Sequence, residues 1–182
     1  MAVRNPFKHK KILLGLSGSI AIYKSCDLVR RLKDQEADVV CLMSSGAQKF
    51  IAPLTFSALS GNPVATDIWD SQNWEMAHIR LAEQAKLFII APASADCLAH
   101  LAAGMACDIL SAAILTVKIP VLIAPAMHHE MWTNPATESN IKRLKSFGYH
   151  FVGPEYGNLL GRKGWGRMSD VQKIISAATQ LI

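Results

Sequence analysis

The feature that most constrains this chain is Leu87-Phe88-Ile89-Ile90-Ala91, an unbroken apolar run bounded by Lys86 and Pro92. A strand that met water on one face would alternate polar and apolar residues, so an unbroken run predicts a strand covered on both faces and central in its sheet. Two further short apolar runs, Lys11 to Leu16 and Pro120 to Ala124, read the same way, and Asp38 to Met43 repeats the signal. Between them the spacing turns helical. Ile20 to Lys33 places Leu28, Val29 and Leu32 on one stripe, and Ser44-Ser45-Gly46 supplies hydroxyls able to accept from free helix amides. Strands alternating with helices predict an α/β, Rossmann-like (flavodoxin-like) three-layer sandwich around a parallel sheet, with ligands bound beyond the carboxyl ends of the strands.

Further along, Pro53, Gly61, Asn62 and Pro63 mark a helix-loop stretch, and Glu75 to Gln84 is amphipathic at helical spacing. Ala93 to Leu115 reads as helix with a break near Gly104 to Asp108. Glu130 to Phe147 reads as one helix closed by Gly148, a good left-handed terminus. His150-Phe151-Val152 is expected as a last short strand and Ser169 to Leu181 as a capped helix. Residues 153 to 168 hold five glycines, at 153, 157, 161, 164 and 166, and Pro154, too many special residues for regular structure in this reading. With 182 residues and no repeat or linker, the chain is expected to form a single domain over residues 1–182.

Composition narrows the function classes. The formal charge of +5 comes from cations spread along the chain, and neither a basic stripe nor aromatic platforms favour nucleic acid. Cys26, Cys41, Cys97 and Cys107 form no C-x-x-C pair, so neither a metal clip nor a disulfide framework is expected. No run is long enough to span a bilayer, and the apolar stretch after Lys11 is broken by Gly15, Ser17, Gly18 and Ser19 before a signal-peptide core could form. A cytoplasmic protein with reduced thiols is the expectation.

The polar motifs all stand at strand ends. Gly15-Leu16-Ser17-Gly18-Ser19 opens a helix after a strand, so its amides can converge on an anion; it matches neither G-x-G-x-x-G nor a P-loop, and an ordinary tight turn is the alternative. Pro92-Ala93-Ser94-Ala95-Asp96 offers Ser94 and Asp96 to a heterocycle or, more blandly, to helix capping. Pro125-Ala126-Met127-His128-His129-Glu130-Met131-Trp132 brings two imidazoles and a carboxylate beside soft apolar side chains, or else is a capped helix with Met127, Met131 and Trp132 in the core. Adjacent histidines with no third ligand do not make a metal site. His78, in Met76-Ala77-His78-Ile79-Arg80-Leu81, is by itself a common structural histidine. Gly161 to Met168 reads as a basic, glycine-rich flap over an anionic substrate or as an exposed loop.

In this order, over about Lys11 to Asp170, the motifs resemble the homo-oligomeric flavin-containing cysteine decarboxylases, most closely the phosphopantothenoylcysteine decarboxylase branch. Gly18-Ser19-Ile20-Ala21-Ile22-Tyr23-Lys24 is similar to the family's flavin-phosphate turn, with Ser44 where a family Ser or Thr meets the phosphate. Pro92 to Asp96 followed by Ala103-Gly104-Met105 resembles the PASAN-type segment in its Asp form. His78 matches the active-site histidine, Pro125 to Trp132 the PxMNxxMW motif, and Gly161 to Met168 the substrate clamp.

The resemblance implies an FMN enzyme that decarboxylates a terminal cysteine carboxylate, with 4′-phospho-N-pantothenoylcysteine in coenzyme A biosynthesis as the first-choice substrate. It implies catalytic roles for His78 and His128. Cofactor contacts follow from Gly18, Ser19, Ile20, Ser44, Ser94, Ala95, Asp96 and Met127, and substrate contacts from Met131, Gly164, Arg167 and Met168. The implied partners are a small cysteinyl substrate and further copies of the chain, as trimer or dodecamer. Two positions depart from the pattern: His128 replaces the family's asparagine, and Leu160 stands in place of the clamp cysteine that helps reduce the enethiol. The alternatives are a peptidyl-cysteine decarboxylase that releases an aminoenethiol and a flavin-binding relative without decarboxylation.

Overall fold

The computed structural model describes residues 5–69, 83–159 and 161–182. The chain opens with β1 (Lys11–Leu16), a 3-10 turn (Ile20–Ile22), α1 (Tyr23–Asp34) and β2 (Asp38–Met43), then two short helices, α2 (Ser45–Gln48) and α3 (Pro53–Ser60). It continues through β3 (Ala85–Ala93), α4 (Ala95–Ala103), α5 (Ile109–Thr116) and β4 (Val121–Pro125). After α6 (His129–Trp132), α7 (Pro135–Ser146) and β5 (His150–Phe151) come a hairpin of β6 (Glu155–Leu159) and β7 (Arg162–Arg167) and the terminal helix α8 (Val171–Thr179).

Strands β1 to β5 form one parallel sheet in the order β2-β1-β3-β4-β5. Every residue of β4 is buried, and in β3 only Lys86 reaches water, as the apolar runs require of strands covered on both faces. The pleat divides them by parity. Ile12, Leu14, Leu16, Leu87, Ile89 and Ala91 pack toward Leu28, Val29, Leu32 and Ile174 of α1 and α8. Leu13, Phe88, Ile90 and Ala93 face Leu98, Leu101, Leu110 and Leu144 of α4, α5 and α7. Each large side chain so buried is worth about 1.5–3 kcal/mol, so the two layers lock the sheet from both sides.

Local chemistry sets the helix limits. Ser44 and Ser94 cap α2 and α4 by accepting from the amides of Ala47 and Cys97. Gly104, at φ +68, ends α4 in the left-handed region, and an Asp108–Ser111 capping box starts α5, so the expected break falls at Gly104 to Asp108. Gly148 (φ +86) follows α7 as expected. The stretch from Glu130 to Phe147 is two helices rather than one, because Asn134 caps a new helix with Pro135 at its first turn, where a missing N–H costs nothing. The larger correction is at 153–168. Instead of irregular loop, residues 155–167 pair as an antiparallel hairpin. The amphipathic segment expected over Glu75 to Gln84 lies mostly outside the described residues. Among the described residues no helix is long and apolar enough to cross a membrane.

Candidate functional site

The strand order reverses direction between β1 and β3, and at such a switch point the two following loops diverge and leave a crevice. Here one hydroxyl ties the two strand ends together. Ser17 Oγ donates to the Pro92 carbonyl (2.8 Å) and accepts from the Ser94 amide (2.7 Å), and the Ser17 amide donates to the same carbonyl (3.2 Å). Ser17 thereby fixes where α4 begins relative to the Gly18–Ser19 turn.

That turn is built for close approach. A Cβ on Gly18 would lie 3.2 Å from the Gly46 carbonyl carbon, and one on Gly46 would lie 3.4 Å from Gly18 Cα. Two bare backbones thus face each other beyond β1 and β2, and a side chain on either would fill the gap. Ser19 Oγ accepts from Ala21, whereas the amides of Gly18 and Ile20 have no acceptor among the described residues. Free amides, the Ser19 and Ser44 hydroxyls and side-chain-free space make a donor set that fits the phosphate end of a flavin.

A cavity of about 540 Å³ opens beside this turn. Ser19, Ile20 and Lys24 form one wall, Met127 and His128 another, and Asn158, Gly166, Arg167, Met168 and Asp170 close it from the hairpin side. The hairpin is pinned there by backbone. The Met127 amide donates to the Gly166 carbonyl (3.0 Å), and Gly166 sits at φ +133 with a built Cβ only 2.1 Å from the Met127 oxygen. The Trp165 amide donates to His129 Nδ1 (3.2 Å), and a Cβ on Gly164 would meet the His129 ring at 2.8 Å.

Charge inside the cavity is mostly cationic and held in place. Arg167 Nη2 donates to Glu155 (2.6 Å), Lys173 donates to the other oxygen of that carboxylate (2.7 Å), and Lys24 Nζ donates to the Met168 carbonyl (3.3 Å). The Lys173 hydrogen bond, followed by that of Arg167, holds the Glu155 carboxyl below the usual range against the opposing effect of burial. Arg167 Nε is buried with no partner among the described residues, packed against Gly157, where a Cβ would lie 2.9 Å from it. His128 Nδ1 is paired with the Glu130 carboxylate, whose pKa is lowered first by its own backbone N–H and then by His128, His129 and Arg162.

The expected site residues therefore divide. Ser19, Ile20, Met127, His128, Arg167 and Met168 share the large cavity, with Gly166 rather than Gly164 at its wall. Ser44 and Asp96 instead line a narrow neighbouring cleft with Ser17, Cys97, His100, Asp108 and Ser111. Ser94 caps α4, and Ala95 begins that helix. Met127 is buried and Trp132 packs partly into the core, but Met131 is exposed, so the core reading fails for it. His78 and Leu160 lie outside the described residues. Sequence reasoning gave no role to Ser17, Lys24, Glu155, Asn158 or Asp170. Ser17 and Lys24 stood inside quoted motifs, but nothing in the chain's linear order signalled that Ser17 bridges two strands or that Glu155 reaches Arg167.

Comparison with known proteins bears on what such a site does. The Flavoprotein family model matches residues 2–182. The coenzyme A biosynthesis bifunctional protein CoaBC of Mycolicibacterium smegmatis is 42% identical over 174 residues, covering 95% of this chain and 42% of that protein. The chain thus spans about four-tenths of the length of the curated relatives it matches. Among solved structures, a PPC decarboxylase mutant complexed with pantothenoylaminoethenethiol superposes with a TM-score of 0.85 at 28% identity, covering 95% of this chain and 98% of that one. The FMN-dependent cysteine decarboxylase SpaF gives 0.81 at 28% identity, covering 94% and 99%.

Proposed function

The chain belongs to the Flavoprotein family, and from that premise we propose that it is an FMN-dependent decarboxylase of a terminal cysteine carboxylate. The proposed substrate is 4′-phospho-N-pantothenoylcysteine. The observation that carries this reading is the cavity in which Ser19 and Ile20 face Met127-His128 and the Arg167-Met168 end of the hairpin. This arrangement supports the reading, since it would let a turn suited to anions, the His128 side chain and the Arg167 guanidinium meet one small molecule.

Bound flavin supplies oxidation of the cysteine thiol, which turns the substrate into an electron sink for loss of carbon dioxide. The residues bind and orient. Gly18, Ser19, Ile20 and Ser44 would hold the phosphate, while Ser94, Ala95 and Asp96 at the start of α4 and Met127 would meet the ring. His128 stands where the family has an asparagine amide; with its Nδ1 held by the Glu130 carboxylate, Nε2 is the atom that would meet the substrate carboxylate. Arg167, steadied by Glu155, and Lys24 draw in the anionic substrate, Met131, Gly164 and Met168 shape its enclosure, and the β6–β7 hairpin excludes water. His78 moves protons at the reacting carbon.

We read the chain as a single flavoprotein domain that works in the cytoplasm as a homo-oligomer, a trimer or dodecamer. Ile20 and Tyr23 border the cavity yet are each 61% exposed, apolar surface that a second copy would cover. The departure at Leu160 favours one further reading, a peptidyl-cysteine decarboxylase whose enethiol leaves unreduced.

An absorbance spectrum followed by anaerobic mixing with 4′-phospho-N-pantothenoylcysteine tests the proposal, with mass spectrometry on the product. A yellow protein that yields carbon dioxide and the saturated thiol is expected. Enethiol alone moves the assignment to the second reading, flavin without carbon dioxide release leaves a binding protein, and a colourless protein that cannot take up FMN overturns the proposal.

A further inference from the structure

A second cluster of reactive side chains lies beside Ser17, outside the large cavity but sharing Asp96 with the residues assigned to flavin. Past Gly104 the chain turns back over α4 and brings Cys107 Sγ to 3.5 Å from His100 Nδ1 and 3.8 Å from Ser111 Oγ. On the far side of the imidazole, His100 Nε2 is 3.6 Å from Asp96 Oδ1, one helical turn away on the same face. The ring thus has a thiol at one nitrogen and a carboxylate at the other. The carboxylate favours the proton on Nε2, which leaves the Nδ1 lone pair facing the thiol, the tautomer needed to withdraw a proton from sulfur. The Asp108 carboxylate, the other charge beside the cleft, is engaged by the amide and hydroxyl of Ser111.

Access separates this thiol from the rest. Cys107 is exposed, whereas Cys41 and Cys97 are buried and Cys26 is partly so. Burial pushes the Cys41 thiol up to about 12 and raises those of Cys97 and Cys26, which keeps all three protonated and unreactive.

We propose that Cys107, with His100 and Asp96, forms a thiol-exchange site that takes small-molecule disulfides and becomes a mixed disulfide. The Cys107 proton passes to His100 Nδ1, and the thiolate attacks one sulfur of R–S–S–R. A new S–S bond forms as the old one breaks, and the departing R–S⁻ takes the proton from His100. One disulfide and one thiol are consumed and one of each is formed. The cleft beside this cluster also contains Ser44 and Asp96, so a group attached to Cys107 sits at the edge of the region assigned to flavin.

The test is the reaction of the purified full chain with 5,5′-dithiobis(2-nitrobenzoate) at pH 7, followed by release of the coloured thiolate and by peptide mass spectrometry. One fast equivalent per chain is expected, mapped to Cys107 and absent from Cys107→Ser. A free thiol is only a few per cent ionised at neutral pH, so loss of the imidazole in His100→Gln should slow the reaction about ten-fold and restore the steep pH dependence of a simple thiol. A fast equivalent mapped to Cys26, a Cys107 rate no greater than that of free glutathione, or an unchanged rate and pH profile in His100→Gln would each overturn the proposal.

Discussion

Substituting Ser17 by alanine removes one oxygen from the place where β1 and β3 part. The residue is 2% exposed, and its hydroxyl both donates to the Pro92 carbonyl and accepts from the Ser94 amide. The two partners do not lose equally. Pro92 keeps the Ser17 amide as a donor at 3.2 Å, whereas the Ser94 amide loses its one acceptor among the described residues. Alanine keeps the Cβ, so almost no packing is lost, and the cost is that of one orphaned, partly buried N–H, about 1–2 kcal/mol. In a chain of this size that corresponds to a fall of about 2–8 °C in Tm. Urea unfolding at fixed protein concentration should show a lower midpoint with an unchanged m-value, since the surface exposed on unfolding stays the same. Because Ser94 starts α4, flavin affinity should weaken in parallel. A loss of stability below about 0.5 kcal/mol, with flavin affinity intact, would refute the argument that this hydroxyl holds the switch point together.

Gly166→Ala forces a Cβ to within 2.1 Å of the Met127 oxygen at φ +133, so the hairpin must lift; about 2–5 kcal/mol of local stability and most turnover should be lost, as read by limited proteolysis and activity. Gly18→Ala places a methyl 3.2 Å from the Gly46 backbone and should weaken FMN binding about ten-fold or more in a fluorescence titration. His128→Ala should lower kcat/KM by about 10–100-fold through loss of a hydrogen bond to the substrate carboxylate, while His128→Asn, which restores an amide donor, should retain most of it. Glu155 is held below its ordinary pKa by Lys173 and Arg167, so its contribution is present above about pH 4.3, the unfolded value, and is lost as pH falls through the lower folded value. Glu155→Gln should therefore narrow the stability difference between pH 6 and pH 3 in thermal unfolding.

The parallel sheet was legible because each of its central strands is nearly all apolar, and only burial on both faces accommodates that. The helix break at Gly104 and the stop at Gly148 were legible because a left-handed residue there needs no side chain. The β6–β7 hairpin was not. It lies outside the two core layers, is joined by backbone pairing, and carries Gly157, Gly164 and Gly166, which read locally as turn residues. All three serve close approach: Gly157 makes room for the Arg167 side chain, Gly164 for the His129 ring and Gly166 for the Met127 carbonyl. A linear reading cannot distinguish a glycine that bends the chain from one that admits a neighbour from another element.

By itself the amino-acid sequence determined the α/β layering, the placement of the Gly15–Ser19, Pro92–Asp96 and Pro125–Trp132 motifs at strand ends and, through the order of its motifs, the family. These depend on local periodicity and spacing, which a chain carries whether or not it is folded. Only the tertiary structure decided that Ser17 joins β1 to β3, that Ser44 and Asp96 stand in a different cleft from Met127 and His128, and that Cys107 meets His100. It also decided that Glu155 steadies Arg167 at the cavity wall. Those facts depend on register, on sheet order and on where a loop turns back, and all three are settled by packing between segments distant in the chain.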